Sequence, residues 1–557
     1  MDRRQGRIGF FEHERRGGLT VLHDVLGHQR LPVERLRPGE IPLLPPQPGQ
    51  AIHHQRGVGM PVAVQLALRR QRLQEQRLGP GQVAPQPAHD AFLIEFRQME
   101  ELLRPVFAPD GETRGLRVLK FGGKSLANGD GLERVLDIIC EKVEQGERLL
   151  VVLSAREKAT DQLETLLQRA SEGKPYREDL EAFRSYQAPE GGQPGLQDAF
   201  RNLERLLEGV QLLGDYSLKV KDEVLAQGEL ISARWVTGLL QERGIPAVMA
   251  DARELLQTDS GFGNARIDEE ASRRKVDAFF RELPRGSVPV VTGFIASNAQ
   301  GETTTLGRNG SNYTASLLAN YLNAEELQNY THVDGIYTAN PELVPDARRI
   351  EQLSFDEANE LANFGATILH AKPIIPLLEK NIPLRILNTF GAGSGGTLIS
   401  AKPSPEGIRS LSVIEQEALI HLEGRGLLGK VGVDARIFRA LGQSGVSVGI
   451  ISQGSSERGI GLVVKAQMAA RARAALEAEF EEDFRRQDIT RIHITSDVSV
   501  ISIVGQDLST FHKPYNALIR NQVVPLLFNN TVTGKNVSLV VRKADMLKAL
   551  NVIHGQI

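Results

Sequence analysis

The chain has 557 residues, a formal net charge of −3 and a pI near 6.5, with 41% hydrophobic and 24% charged residues. That length allows about three or four domains, and the near-neutral balance leaves no electrostatic footprint for nucleic acid or an anionic membrane. No run of about eighteen apolar residues could span a bilayer, and a single cysteine, Cys140, excludes an internal disulfide and a cysteine metal cluster, which fits a cytoplasmic location.

Residues 1–114 differ from the rest. The first lysine of the chain is Lys120, and His13, His23, His28, His53, His54 and His89 all fall in this stretch. Arg, Gln, Pro and Gly dominate, as in Leu43-Leu-Pro-Pro-Gln-Pro-Gly-Gln50, and apolar periodicity is weak outside Val62–Leu73. A segment of this kind buries too little surface to offset its chain entropy, so a poorly structured extension is expected, with true translation starting near Met99. His53-His54 has no partner spacing for a metal, and no metal site is expected.

The stretch Arg117-Val-Leu-Lys-Phe-Gly-Gly-Lys-Ser125 comes next. Val118 to Phe121 reads as a buried strand, Gly122 and Gly123 as a turn, and Ser125 as the start of a helix with Leu132, Val135, Leu136 and Ile139 at helical spacing. A strand, a glycine turn and a helix N-terminus suit an anion, and Lys120 adds a fixed positive charge. Gly123-Lys124-Ser125 mimics the end of a P-loop, but Val118 stands where that motif needs glycine. Gly391-Ala-Gly-Ser-Gly-Gly396 matches a dinucleotide pattern by letter, but Thr397-Leu-Ile-Ser after it reads as a strand, making this a turn between strands.

From Leu116 to about Ser400, strands at Leu149–Leu153, Val288–Thr292 and Leu384–Leu387 alternate with helices such as Ala315–Leu322 and Phe355–Ala362. This predicts an α/β fold, a mostly parallel sheet with helices on both faces. Three further segments carry chemistry. Gly228-Glu-Leu-Ile-Ser232 sets Glu229 before an apolar helix, as a helix-dipole partner or a ligand. Leu306-Gly-Arg-Asn-Gly-Ser311 precedes another helix, and its N–H groups and the Arg308 fork could hold a carboxylate or phosphate, with both loops drawn from opposite halves of one sheet. Tyr330-Thr-His-Val-Asp-Gly-Ile-Tyr-Thr-Ala-Asn-Pro341 is a strand ending in a polar turn. After the Lys402-Pro-Ser-Pro405 linker (401–407), helices at Val433–Gln443 and Ala469–Glu481 alternate with strands, and a similar order follows from Val498. Two copies of a small βαββαβ unit, 408–488 and 489–557, are expected behind an α/β domain at 115–400.

Together, Lys120-Phe-Gly-Gly, Val152-Leu-Ser-Ala155, Gly228-Glu-Leu, Leu306–Ser311, Val333-Asp-Gly-Ile-Tyr-Thr338, Phe364-Gly-Ala366 and Leu369-His370 resemble the aspartate kinases of the amino-acid kinase superfamily. The match runs from about Leu116 to the C-terminus and is closest to the kinase half of aspartate kinase–homoserine dehydrogenase fusions; the chain stops at Ile557, where a dehydrogenase begins in those fusions. The tail resembles paired ACT domains. The resemblance implies phosphoryl transfer from MgATP to the β-carboxylate of aspartate, with Mg2+ bound mainly through ATP, as the first step toward lysine, threonine and methionine. It implies that Lys120 stabilises the moving phosphoryl group and that Phe121, Gly122 and Gly123 border the phosphates. Arg308, with Asn309, Gly310 and Ser311, would grip the substrate carboxylate, and Glu229 its ammonium. Ser154 and Thr160 match substrate positions, and Thr331, His332, Asp334, Tyr337, Thr367 and Ile368 fall in the nucleotide pocket. Gln453 and Asn530 are implied as contacts for a threonine or lysine effector; Asn530 reads equally as a turn residue. Pairing of copies through the ACT domains is implied as well.

Four departures from the family pattern stand out. Lys124 replaces the usual Thr, Asn312 the usual Asp, His332 an acid after Thr331, and Glu342 a nucleotide-pocket Arg. The first two add a cation and remove an anion, so Lys124 and Asn312 join the catalytic set, with Lys124 expected to neutralise phosphate charge. The competing readings are a weak or silent kinase retained as an amino-acid sensor, and another superfamily kinase acting on glutamate, acetylglutamate or UMP.

Overall fold

The computed structural model describes residues 115–557 except 128, 189–194, 285, 365–368, 392, 394, 426–430, 454–458, 507 and 532. The expectations for residues 1–114, and for Thr367 and Ile368, lie outside the described residues.

Strands β1 (Leu116–Phe121), β2 (Arg148–Leu153), β3 (Ala247–Ala250), β4 (Gln257–Thr258), β5 (Val288–Thr292), β6 (Ile295–Asn298), β7 (Thr303–Thr305), β8 (Glu326–Thr331), β9 (Gln352–Ser354), β10 (Leu384–Asn388) and β11 (Thr397–Ser400) build two sheets. The main one runs β3-β5-β2-β1-β8-β10-β11-β9. Its pairings are parallel except β10 with β11, where the Gly391–Gly396 stretch joins antiparallel neighbours. The small sheet, β4-β6-β7, stands apart. The Arg308 loop therefore leaves this side sheet, not the far half of the main one.

Alternation along the central strands separates two cores. Val118, Leu150 and Val152 face one, with Leu317 and Leu318 of the helix Gly310–Tyr321. Leu119, Phe121, Leu149, Val151 and Leu153 face the other, with Val135 and Ile139 of the helix Asp130–Glu144. Each fully buried Leu, Ile or Val contributes about 1.5–3 kcal/mol, so a one-residue slip of β1 would set each side chain against the wrong core and turn Lys120 to the opposite face. In the observed register Lys120 shares the Val118 face, at the carboxyl end of the sheet, beside Val152 of β2 and Asn329 of β8.

The predicted helix start at Ser125 is displaced. Gly123–Leu126 forms a 3-10 turn, Ala127 is extended with ψ 150°, and Gly129 has φ 81°, so the α-helix begins only at Asp130. The helix that follows in sequence therefore does not open at the Gly-Gly turn.

In the tail, β12 (Gly407–Glu423), β13 (Val448–Gln453), β14 (Gly459–Lys465), β15 (Arg491–Gln506), β16 (Leu527–Asn530) and β17 (Asn536–Arg542) form one antiparallel sheet in the order β13-β14-β12-β15-β17-β16. Helices Val433–Gln443 and Ala469–Glu479 cover one half, His512–Arg520 and Lys543–His554 the other. The long strands β12 and β15 thread both halves. Leu411, early in β12, packs with Ile501, Leu539 and Leu550; Ile492, early in β15, packs with Ile437, Leu462 and Leu476.

Candidate active site

Two cavities meet at the carboxyl end of β1. The smaller, about 460 Å3, is lined among others by Gly123, Ser154, Thr160, Glu229, Arg308, Gly310 and Ser311. The larger, about 740 Å3, is lined among others by Gly122, Lys124, Thr331, His332, Tyr337 and Glu342. Lys120, Asn309 and Asn312 line both.

Lys120 is only 8% exposed, and burial pulls its ammonium down to about 8. Its Nζ lies over Gly122, 3.4 Å from where a Cβ would stand. Gly123 is glycine for a different reason. A Cβ there would fall 2.7 Å from the Ala155 carbonyl oxygen and 2.9 Å from that of Glu157, and the Glu157 N–H donates to the Gly123 carbonyl at 2.8 Å. Two loops thus lie backbone against backbone under the smaller cavity. The Ser154 N–H donates to the Phe121 carbonyl at 3.2 Å, and Ser232 Oγ donates to the Ser154 carbonyl at 2.9 Å.

Glu229 does not precede a helix. It sits in the middle of the helix Leu218–Glu242, far from either end, which removes the dipole reading because that effect fades within a turn. Gly228 lets this helix approach closely, since a Cβ there would lie 3.0 Å from Ala155 Cβ. Glu229 Oε1 accepts the Ala155 N–H at 3.2 Å, while Oε2 is buried without a partner. Burial pushes the carboxyl up to about 8. A buried acceptor left open in a polar cavity suits an incoming cation.

Across the cavity, Gly307 (φ 73°) and Asn309 (φ 62°) bend the chain around Arg308 before the helix opens at Gly310. Asn309, Glu157 (φ 45°) and Phe294 (φ 68°) are all non-glycine residues with positive φ, and all line this cavity. Such conformations cost of order 1–3 kcal/mol each and gather at sites that need a fixed shape. Asn312 presents an Oδ1 that is buried and has no partner.

On the larger side, Lys124 is exposed and, with burial, depresses the His332 imidazole below its ordinary range. Thr331 Oγ1 lies 3.3 Å from His332 Nδ1. Three of the predicted nucleotide residues, Gly123, Phe121 and Asp334, do not line this cavity, and Gly123 lines the smaller one instead. Phe121 is fully buried and stacks on Tyr330 at 4.7 Å, and the Asp334 carboxylate accepts from Asn388 Nδ2 at 2.8 Å and the Tyr337 hydroxyl at 3.4 Å. Both hold the wall from behind.

The tail closes the larger cavity, a feature sequence reasoning missed. Leu411, Val413 and Leu550 line it. Ser410 Oγ donates to the Tyr337 carbonyl at 2.8 Å, the Leu411 N–H to the Thr338 carbonyl at 2.8 Å, and Thr338 Oγ1 lies 2.8 Å from His554 Nε2. The smaller cavity likewise gains Asp222, Glu157 and Phe294. Asp222 precedes Glu229 by seven residues, a helical repeat that marks the same face. Gln453 and Asn530 stand exposed at the ends of the edge strands β13 and β16, away from both cavities. Among the described residues, no group of three or more His, Cys, Asp or Glu could hold a metal, and no helix is long and apolar enough to cross a membrane.

Comparison with known proteins places these features in a family. The amino acid kinase family matches residues 115–388 and the ACT domain residues 420–480. A bifunctional aspartokinase/homoserine dehydrogenase of Haemophilus influenzae is 32% identical over 459 residues, 79% of this chain and 56% of that protein. The chain spans about half the length of the bifunctional relatives it matches. Lysine-sensitive aspartokinase 3 of Escherichia coli is 32% identical over 401 residues, 70% of this chain and 87% of that protein. The structure of E. coli aspartokinase III in complex with aspartate and ADP superposes with a TM-score of 0.64 at 28% identity, covering 79% of this chain and 99% of that one. With a kinase half and ACT tail matched along most of a 32% identical aspartokinase, the chain belongs to the aspartokinase family.

Proposed function

We propose that the protein transfers the γ-phosphoryl group of MgATP to the β-carboxylate of L-aspartate, giving 4-phospho-L-aspartate. The observation that carries this reading is the pair of cavities joined at Lys120, Asn309 and Asn312. The smaller has a buried carboxylate and a guanidinium for an amino acid; the larger has cations and apolar walls for a nucleotide. The E. coli relative, solved with aspartate and ADP, supports the same pairing of ligands.

The acceptor needs no general base, because a free Asp side chain has a pKa near about 3.9 and is ionised at pH 7. Catalysis then consists of positioning and charge neutralisation. Arg308 would fork onto the acceptor's α-carboxylate, Glu229 Oε2 would take its ammonium, and Ser154, Thr160, Gly310 and Ser311 would complete its hydrogen bonds. Lys120, at the junction, would meet charge on the moving phosphoryl group. Lys124, on the nucleotide side only, would supply a second cation where Asn312 carries no charge. Thr331, His332 and Tyr337, with Thr367 and Ile368, would bound the nucleotide. Mg2+ would enter on the triphosphate and lower its charge, since the described residues offer no cage of their own.

The ACT tail is the proposed regulatory part, with Gln453 and Asn530 as contacts for threonine or lysine and two copies pairing through it. Its hydrogen bonds to Tyr337 and Thr338 give an effector a direct hold on the nucleotide wall, provided it binds two states of the tail unequally. A coupled ADP assay across aspartate, glutamate, acetylglutamate and UMP tests the reading; ADP release that ignores aspartate contradicts it.

A further inference from the structure

The geometry points to Asp222 as the positioning residue that fixes the Arg308 loop, and with it the acceptor's α-carbon, relative to Lys120, and so sets the length of dicarboxylate that the smaller cavity can present for phosphoryl transfer. The inference rests on the proposed aspartate kinase reading of that cavity.

Asp222 is 1% exposed, yet it lines the cavity. Its Oδ2 accepts from the Gly263 N–H at 2.8 Å and the Thr305 N–H at 3.0 Å, and its Oδ1 from Thr305 Oγ1 at 2.9 Å. Burial raises this carboxyl while these donors favour its ionised form. Both segments it grips lead to Arg308. Thr305 ends β7, two residues before Gly307. The Gly263 loop continues into Asn264, whose side chain covers Gly307 so closely that a Cβ there would fall 2.6 Å from Asn264 Oδ1. The Ala265 N–H then donates to the Thr305 carbonyl at 2.9 Å, and Lys372 Nζ donates to the Leu306 carbonyl at 3.0 Å.

Asp222 and Glu229 share one helix and lie seven residues apart, ~10.5 Å along its axis at the usual rise. One side chain is proposed to hold the acceptor's ammonium. The other holds the loop that carries the guanidinium for its carboxylate. Both groups sit on the acceptor's α-carbon, so the helix fixes where that carbon stands, Asp222 is where the Arg308 loop is fastened to it, and the acceptor's side chain must span from there to the junction at Lys120. A fastened loop discriminates a four-carbon from a five-carbon acid; one methylene is worth roughly 10–200-fold in a fitted site. A loosened loop follows the longer acid and loses that ratio.

The test uses the full chain and steady-state kinetics with aspartate and glutamate as acceptors. Asp222→Asn keeps the volume but removes the charge and replaces one of the two accepting oxygens by an NH2 group. It is expected to raise KM for aspartate about tenfold, to lower the aspartate-over-glutamate ratio of kcat/KM at least about fivefold, and to leave KM for ATP within about twofold. Thr305→Val, which removes only the hydroxyl, shifts both quantities the same way by less, and Thr305→Ser restores them. Should Asp222→Asn fail to fold, the Thr305 pair decides. An unchanged acceptor ratio and aspartate KM in a variant that merely melts earlier overturns the inference and leaves the kinase reading intact. A wild-type chain without aspartate-dependent ADP release overturns both.

Discussion

Aspartate binding should release a proton, because Glu229 can hold an ammonium only as a carboxylate and burial keeps it protonated up to about pH 8. At pH 7 a group with that pKa is about nine-tenths protonated, so binding should expel about 0.9 proton per site. The sign follows from the raised pKa. Below pH 8 the proton must leave before the ammonium can be paired, at a cost that grows by about 1.4 kcal/mol for each unit of falling pH. The apparent Kd for aspartate should therefore fall about tenfold from pH 6 to 7 and level off above 8. Calorimetry at pH 7 in two buffers of different ionisation enthalpy measures the proton directly. Glu229→Gln should abolish the buffer dependence and weaken binding by about 1.5–3 kcal/mol, the worth of a hydrogen bond to a charged group. That variant also separates Glu229 from His370, which lines the larger cavity and whose imidazole burial, then Arg308 and Lys120, pull below its ordinary range. A flat Kd from pH 6 to 8 with no buffer dependence would refute the assignment of Glu229 to the ammonium.

Three further outcomes follow from the same geometry. Lys124→Thr should lower kcat far more than aspartate affinity, because Lys124 lines only the larger cavity; stopped-flow or steady-state turnover beside aspartate calorimetry checks the split, and unchanged turnover would remove Lys124 from phosphate neutralisation. In the free protein Lys120 is charged below about pH 8, so kcat/KM for ATP should be flat below that value and drop about tenfold per unit above it. Gly123→Ala should destabilise the fold by about 1–3 kcal/mol in a denaturant titration, since the new Cβ meets two backbone oxygens at 2.7 and 2.9 Å that cannot turn aside.

Local signals carried the main α/β architecture and the choice of loops. The apolar run marked Val118 to Phe121 as a buried strand, and the glycines around Arg308 marked a loop ahead of a helix. What escaped was set by partners distant in the chain. The Asp222 contact to Thr305 spans 83 residues, and no spacing rule links them. Glu229 was displaced from helix start to helix middle because Gly228 is there for close packing against Ala155, not to break the helix. Ser125 failed as a helix start because the turn at Ala127 and Gly129 depends on backbone angles that residue type only permits. Phe121 and Asp334 sit within motifs that border the cavity, yet their side chains point to Tyr330 and Asn388; a motif names a loop, while the strand's alternation decides which of its members face the ligand. The tail's contribution to the nucleotide wall required the fold itself, since Leu411 and Leu550 lie far downstream of Lys120.

The most direct measurement is ADP production by the purified full chain with MgATP, with and without aspartate, trapping the acyl phosphate with hydroxylamine. The account predicts ADP release that depends on aspartate and an equal yield of aspartyl hydroxamate. ADP release indifferent to aspartate, or supported better by acetylglutamate or UMP, would contradict it.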